Sequence, residues 1–177
     1  MPIERQLTAA RPELLDGDGD KRFRQLLYDF FAFGSRLEDA RARFAAYIGL
    51  SSAQYLILIV VSHADPEDEM GVAYVAERLH LSGAFVTIEM NKLVRDGLIE
   101  KFPHSSDKRR VRLAVTSLGL EKLKRLAALQ RPVNDALFSS IDRTDFERLS
   151  TVMHRLADGA GQAIHLADHL IASDDLK

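Results

Sequence analysis

Two adjacent stretches hold the residue types best placed to do chemistry. The first is SGAFVTIEMNKLVRDGL, Ser82 to Leu98. At about 100° per residue, Val86, Met90 and Leu93 share one helical face, which must be the core side. The opposite side carries Ala84, Thr87, Ile88, Asn91 and Arg95, with Ser82 and Gly83 at its start and Lys92 on its flank. Such a face suits the edges of base pairs. An asparagine bonds adenine through two hydrogen bonds, while alanine, threonine and isoleucine methyl groups pack on thymine methyls. A preference for A·T pairs is the expectation. The second stretch follows at once: two short apolar runs flank Asp107-Lys108-Arg109-Arg110. A guanidinium at such a tip suits the negative potential of a narrow minor groove. Asp107, the exception in a cationic run, is read as an orienting partner for Arg109.

The elements that position these residues follow from periodicity and punctuation. Met1 to Asp20 reads as a loosely ordered polar arm, ending in the turn-forming DGDGD. Lys21 to Tyr47 is a long amphipathic helix ended by Gly49. Ser51 or Ser52 caps a second helix, Ala53 to His63, which is apolar nearly all round and so belongs at the centre of the core. Val72 to Leu79 is a short helix with its turn at His80-Leu81. Ser82 caps the next helix, and Gly97 closes it from the left-handed region. Leu98 to Phe102 and Val111 to Val115 read as strands of a hairpin. A long helix runs from Thr116 or Ser117 to about Ser139, with Pro132 expected to kink it or start a new segment. The last helix, Asp142 to Leu170, has an apolar stripe of Leu149, Val152, Leu156, Ala160, Ala163, Ala167 and Leu170.

The expected fold is therefore mainly α with a small β-hairpin. Residues 51–119 form a winged helix-turn-helix lobe, preceded by a flexible arm at 1–20. Residues 21–50 and 120–172 form a helical dimerisation region. The terminal helices have no partner of comparable length except each other or those of a second copy, and a C2 dimer would bury their stripes.

Charge is distributed to match. The net charge is −2, yet ten bases stand against four acids between Lys92 and Arg125, while both ends of the chain are acidic. A chain of this kind turns one region toward phosphate. With no cysteine, disulfides, thiolate metal sites and thiol switches are excluded. No apolar run approaches the roughly 20 residues that span a bilayer, and no secretory signal is evident, so a cytoplasmic location without membrane attachment is expected.

DKRRVRLAVTSLG resembles the wing signature of the MarR family of transcriptional regulators, Asp-x-Arg followed by apolar-Thr-x-x-Gly. Here those positions are Asp107, Arg109, Val115, Thr116 and Gly119. LSSAQYLIL, VAYVAERLHLS and VTIEMNKLVRDGLIEK resemble the same family's helices in order, so that the likeness runs from about Lys21 to Leu170. The resemblance implies a homodimer that binds a palindromic double-stranded DNA operator, more often as a repressor. It also implies a small-molecule effector, lodged between dimer body and lobe, that lowers DNA affinity. The chain departs from the family where Ile88 replaces a basic residue, Glu89 an aliphatic one and Asn91 an acid, so the family's base-reading pattern is not carried over. The lack of cysteine excludes the peroxide-sensing mode of some relatives.

For the effector, Phe30, Phe33, Arg36, Tyr55 and His63 are the candidate residues. An aromatic wall with arginines nearby suits an aromatic acid or an aromatic acyl-coenzyme A thioester. His165, Asp168 and His169 have metal-compatible spacing but lie opposite the apolar stripe, so a solvated polar face is expected, with no metal and no cofactor. No nucleophile elbow, phosphate loop, dinucleotide fingerprint or HExxH occurs, and no enzyme activity is expected. The alternative is a winged helix used for protein contact, which has little reason to make its tip so basic.

Overall fold

Ser51 begins the element around which the rest is packed. Its hydroxyl accepts from the Gln54 backbone N–H at 3.2 Å, and the Gln54 side chain accepts from the Ser51 N–H at 3.0 Å. This reciprocal capping box satisfies two of the orphan donors at the start of the helix. In the computed structural model, which describes residues 6–64, 70–103 and 111–174, that helix is α2 (Ser52–Ser62). It follows α1 (Lys21–Tyr47) and precedes α3 (Val72–Leu79), α4 (Gly83–Arg95), strands β1 (Ile99–Pro103) and β2 (Val111–Val115), α5 (Ser117–Leu137) and α6 (Arg143–Asp174). The chain divides into two compact units, residues 1–133 and 134–177.

In the first unit, Ile57, Leu58 and Val61 of α2 are buried against Val75 and Ala76 of α3, Val86, Met90 and Leu93 of α4, and Leu98, Ile99 and Leu113 of the hairpin. Burying each such aliphatic side chain contributes about 1.5–3 kcal/mol. No single helix among the described residues is long and apolar enough to cross a membrane. The α1–α2 pair reaches that hydropathy only when joined across an 84° bend, and α2 spends its apolar residues on the lobe's core.

The hairpin pairs antiparallel, with Ile99 opposite Val115 and Lys101 opposite Leu113. It begins one residue later than its hydrophobic pattern predicts. Leu113 also donates its N–H to Met70 O at 3.0 Å, tying the segment before α3 to the hairpin. The αL residue between α3 and α4 is His80, at φ 51°. A side chain in that region costs about 1 kcal/mol relative to glycine. His80→Gly is therefore expected to raise stability by about that amount, read as a higher urea midpoint at unchanged slope.

The described part of the N-terminal arm is more structured than its polar composition suggests. Asp20 is buried, and its carboxylate accepts from both the backbone N–H and the hydroxyl of Thr8, each at 2.6 Å, and pairs with Arg24. The Thr8 hydrogen bonds, more than the Arg24 charge, hold the Asp20 carboxyl below the usual carboxylate range. Pro132 neither ends nor splits α5, which continues through it to Leu137.

Basic side chains of α5 close the C-terminus of α1. Lys122 Nζ donates to Ile48 O at 2.8 Å, and Arg125 donates to Tyr47 O at 3.0 Å while its guanidinium sits 5.1 Å from the Tyr47 ring centroid. Cations here satisfy orphan carbonyls and complement the helix dipole. Two members of the basic middle are thus spent on folding rather than displayed.

The second unit is dominated by α6, capped by Asp142, whose side chain accepts from the Asp145 N–H at 2.8 Å. The helix runs four residues beyond the predicted end, to Asp174.

Candidate nucleic-acid interface

The first turn of α4 is set by Ser82, whose hydroxyl accepts from the Phe85 N–H at 3.2 Å. From there the helix buries Val86, Glu89, Met90 and Leu93. Ala84, Thr87, Ile88, Asn91 and Arg95 are exposed on the opposite arc, as their spacing requires. Ile88 is 56% exposed, a large apolar side chain held in solvent on the arc. The Thr87 hydroxyl donates to Gly83 O at 2.7 Å. That bond fixes the rotamer and leaves the methyl group as the outward contact.

The cationic members of this surface each have an internal partner. Lys92 Nζ donates to Glu89 Oε1 at 2.7 Å, and Arg95 bonds Asp96 at 3.3 Å. Glu89 is 7% exposed, on the flank of the core stripe, and Lys92 is the group that neutralises it. Lys92 engages phosphate only by leaving a buried carboxylate unpaired, which is costly. Lys101, on β1, reaches back to α4 and donates to Asn91 Oδ1 at 2.6 Å.

One joint ties α4 to the wing. Leu98 N–H donates to Leu93 O at 2.9 Å across the Gly97 turn, where φ is +70°. Thr116, at the end of β2, donates its hydroxyl to Gly97 O at 2.7 Å and its N–H to Leu98 O at 3.0 Å, and accepts from the Gly119 N–H at 3.1 Å. A Cβ on Gly119 would meet Leu98 O at 2.5 Å and Val115 Cγ1 at 2.6 Å. Thr-x-x-Gly is therefore a mechanical requirement: the threonine pins the hairpin to the end of α4, and the glycine lets α5 start against that turn.

Asp107, Lys108, Arg109 and Arg110 lie outside the described residues. Phe85, 40% exposed in the first turn of α4 beside the arc, and Lys101 are the two additions to the surface predicted from sequence. Lys101 gives no signal, because its partner is ten residues away on another element.

The candidate effector residues do not converge. Tyr55 is buried near the start of α2, edge-on to Phe44 at 6.4 Å between centroids, and accepts from Gln130 at 3.0 Å. Burial pushes its phenol up, offset by the Gln130 hydrogen bond and the Arg41 charge, so it keeps its proton. His63 caps the far end of the same helix, with Nδ1 3.0 Å from Ile59 O. Arg36 pairs with Asp39 at 3.8 Å. Phe30 and Phe33 lie more than two turns of α1 before Phe44. Phe44 and Gln130 contact Tyr55, and the Arg41 charge acts on its phenol. Arg41 pairs with Glu38, yet its Nε is buried without a hydrogen-bond partner among the described residues. On α6, His154 pairs with Asp158 at 3.5 Å. No group of three metal-ligating side chains occurs among the described residues.

A helix pair presenting one exposed arc, locked to a two-stranded wing, defines a winged helix-turn-helix protein. Residues 48–110 match the model of the MarR family. The HTH-type transcriptional repressor YetL of Bacillus subtilis (strain 168) is 24% identical over 100 residues, covering 56% of this chain and 59% of YetL, so the match spans little more than half of that protein. Among solved structures, a MarR/EmrR family transcriptional regulator from Acinetobacter sp. ADP1 superposes with a TM-score of 0.65 at 20% identity, covering 80% of this chain and 97% of the other. The MepR–DNA complex of S. aureus gives 0.62 at 17% identity, covering 75% and 96%. A mutant MarR from E. coli complexed with operator DNA gives 0.61 at 15% identity, covering 75% and 93%. At these identities the likeness establishes the fold.

Proposed function

We infer that the chain is a ligand-responsive, DNA-binding transcriptional repressor that acts as a homodimer on a palindromic operator and has no enzymatic role. The observation that carries this reading is the exposed arc of α4, with Ile88 and the Thr87 methyl turned outward, locked to the wing through Thr116 and Gly119. No folding role accounts for an uncovered isoleucine on that arc. DNA-bound proteins of the same fold support the DNA reading, and the repressor YetL supports the regulatory sign.

The test is binding of the full chain to DNA from its own promoter region across a salt series. Phosphate contacts give an affinity that falls steeply and log-linearly with salt. Arg109→Ala is expected to weaken binding at least tenfold while leaving the oligomeric state unchanged, because a single charged contact desolvated in a groove contributes on the order of 1–3 kcal/mol. Wild-type affinity in that variant would remove the wing from the interface.

The effector we assign is an aromatic carboxylic acid or its acyl thioester, entering where α1, α2 and α5 meet. The buried, unpaired Nε of Arg41 and the protonated phenol of Tyr55 supply two donors beside the Phe44 ring. Among the residues proposed from sequence, Tyr55 belongs to this cluster, and Phe30, Phe33, Arg36 and His63 stand apart from it. Titration calorimetry with benzoate-type acids checks the assignment through heat that disappears in Arg41→Met.

A further inference from the structure

Asn91 does not present a bare carboxamide to solvent. Its Oδ1 is held at 2.6 Å by the ammonium of Lys101, although the two residues sit on different elements. Lys101 lies opposite Leu113 in the hairpin, and Leu113 is buried against the lobe's core. Residues paired across a ladder share a face, so the Lys101 stem leans over α4 while its ammonium emerges among the exposed residues there. Asn91 stands near the centre of the exposed arc, one turn from Ile88 and Thr87.

The donor count of this pair differs from that of an isolated asparagine. An ammonium has three N–H groups, and one is taken by Asn91, leaving two. The carboxamide keeps both its N–H donors, but one of its two carbonyl lone pairs is occupied. What faces outward is thus a cluster of donors with a full positive charge and a single residual acceptor site. Adenine presents one acceptor and one donor in the major groove, whereas guanine presents two adjacent acceptors, N7 and O6. The cluster's donors and positive charge match guanine, while against the N6 donor of adenine it offers only the one residual lone pair of Asn91.

We propose that Asn91 and Lys101 form a guanine-reading unit on the exposed arc of α4, in which Lys101 donates to guanine N7 and O6 and Asn91 is the positioning residue that holds the ammonium over the base. This rests on the DNA-binding reading and deepens it. It replaces the expected adenine contact of Asn91 and leaves the methyl contacts of Ala84, Thr87 and Ile88 to A·T pairs. One G·C pair in each half-site then sits beside an A·T-rich step.

The experiment is operator selection from a randomised DNA library with the full chain, repeated with Lys101→Met, Asn91→Ala and Asn91→Asp. Wild type is expected to select guanine at one position per half-site, preferred over adenine by roughly tenfold or more. Lys101→Met keeps the stem and removes the charge, and its guanine preference should vanish. Asn91→Ala should lose most of that preference while keeping wild-type salt dependence, since the ammonium is present but no longer aimed. Asn91→Asp supplies an acceptor for Lys101 and should restore the preference at lower overall affinity. Both side chains are exposed, so melting temperatures are expected to stay at the wild-type value.

Guanine preference surviving in Lys101→Met overturns the proposal. So does a uniform loss of affinity over all sequences in that variant with a salt slope smaller by about one, which is the signature of a phosphate contact. Wild type binding DNA without guanine at any position overturns this inference alone. Wild type failing to bind duplex DNA at low salt overturns it together with the functional reading.

Discussion

Gly119→Ala is expected to destabilise the winged lobe by about 2 kcal/mol, an effect out of proportion to one methyl group. Two opposing terms set the figure. Alanine gains about 1 kcal/mol over glycine in helix propensity, and Gly119 lies in the first turn of α5. Against that, its Cβ would stand 2.5 Å from Leu98 O and 2.6 Å from Val115 Cγ1, one of them a backbone atom that no rotamer change can move. Relief requires α5 to shift away from the end of α4, which pulls Thr116 from Gly97 O and breaks the hydrogen bond from Gly119 N–H. Overpacking against backbone costs about 1–3 kcal/mol or more, so the clash wins. Urea unfolding should show a lower midpoint, and melting a fall of roughly 4–8 °C. DNA affinity should also drop at temperatures where the lobe is still folded, because the wing is no longer fixed to α4. A midpoint at or above wild type would mean that the joint is soft and that propensity outweighs the contact.

The second large effect concerns α6. Between Phe146 and Ile171 eight of its large apolar residues (Phe146, Leu149, Val152, Met153, Leu156, Ile164, Leu170 and Ile171) fall within an arc about 120° wide that contains no charged side chain, and Leu166 lies just outside it. All of them are exposed, Ile164 by 64% and Ile171 by 63%. A contiguous apolar surface of this length is not left in water by a monomer. Leu156→Glu places a carboxylate in the middle of the stripe and is expected to convert the proposed homodimer to monomer in sedimentation at micromolar concentration. Helix content by circular dichroism should not change, since Leu156 is half exposed within the chain and contributes little to its internal packing. Operator affinity should fall by about 100-fold or more, because two tethered half-site contacts become one. An unchanged dimer would move the association surface elsewhere on the chain.

Much of the lobe was legible before any coordinates, because its signals are local. Ser51 and Ser82 cap the helices they precede, Gly97 takes the left-handed turn, and the core spacing of Val86, Met90 and Leu93 fixes which side of α4 faces outward. Thr116 and Gly119 were recognisable as a signature, but their reason was not. The groups they serve, Gly97 O and Leu98 O, lie some twenty residues earlier and come within reach only when the hairpin closes.

The effector candidates were the least legible. Periodicity groups aromatics that share a helix, such as Phe30 and Phe33 on α1, but does not say which residues meet Tyr55 on α2. The packing instead brings Phe44 and Gln130 to Tyr55, with Gln130 arriving from 75 residues away. Pro132 shows the opposite limit, since local chemistry argued for a break and the helix tolerates the missing N–H.

Charge divides in the same manner. The sequence by itself determined that the middle of the chain is basic, that α4 has an outward arc poor in charge, and that a cationic segment follows it. Hydrophobic period and turn residues act over a few positions and need no tertiary context. Only the tertiary structure decided which cations are spent. Lys122 and Arg125 close α1, and Lys101 holds Asn91. Those pairings depend on which side chains lie within about 3 Å once distant elements pack, and no spacing in the sequence encodes that distance.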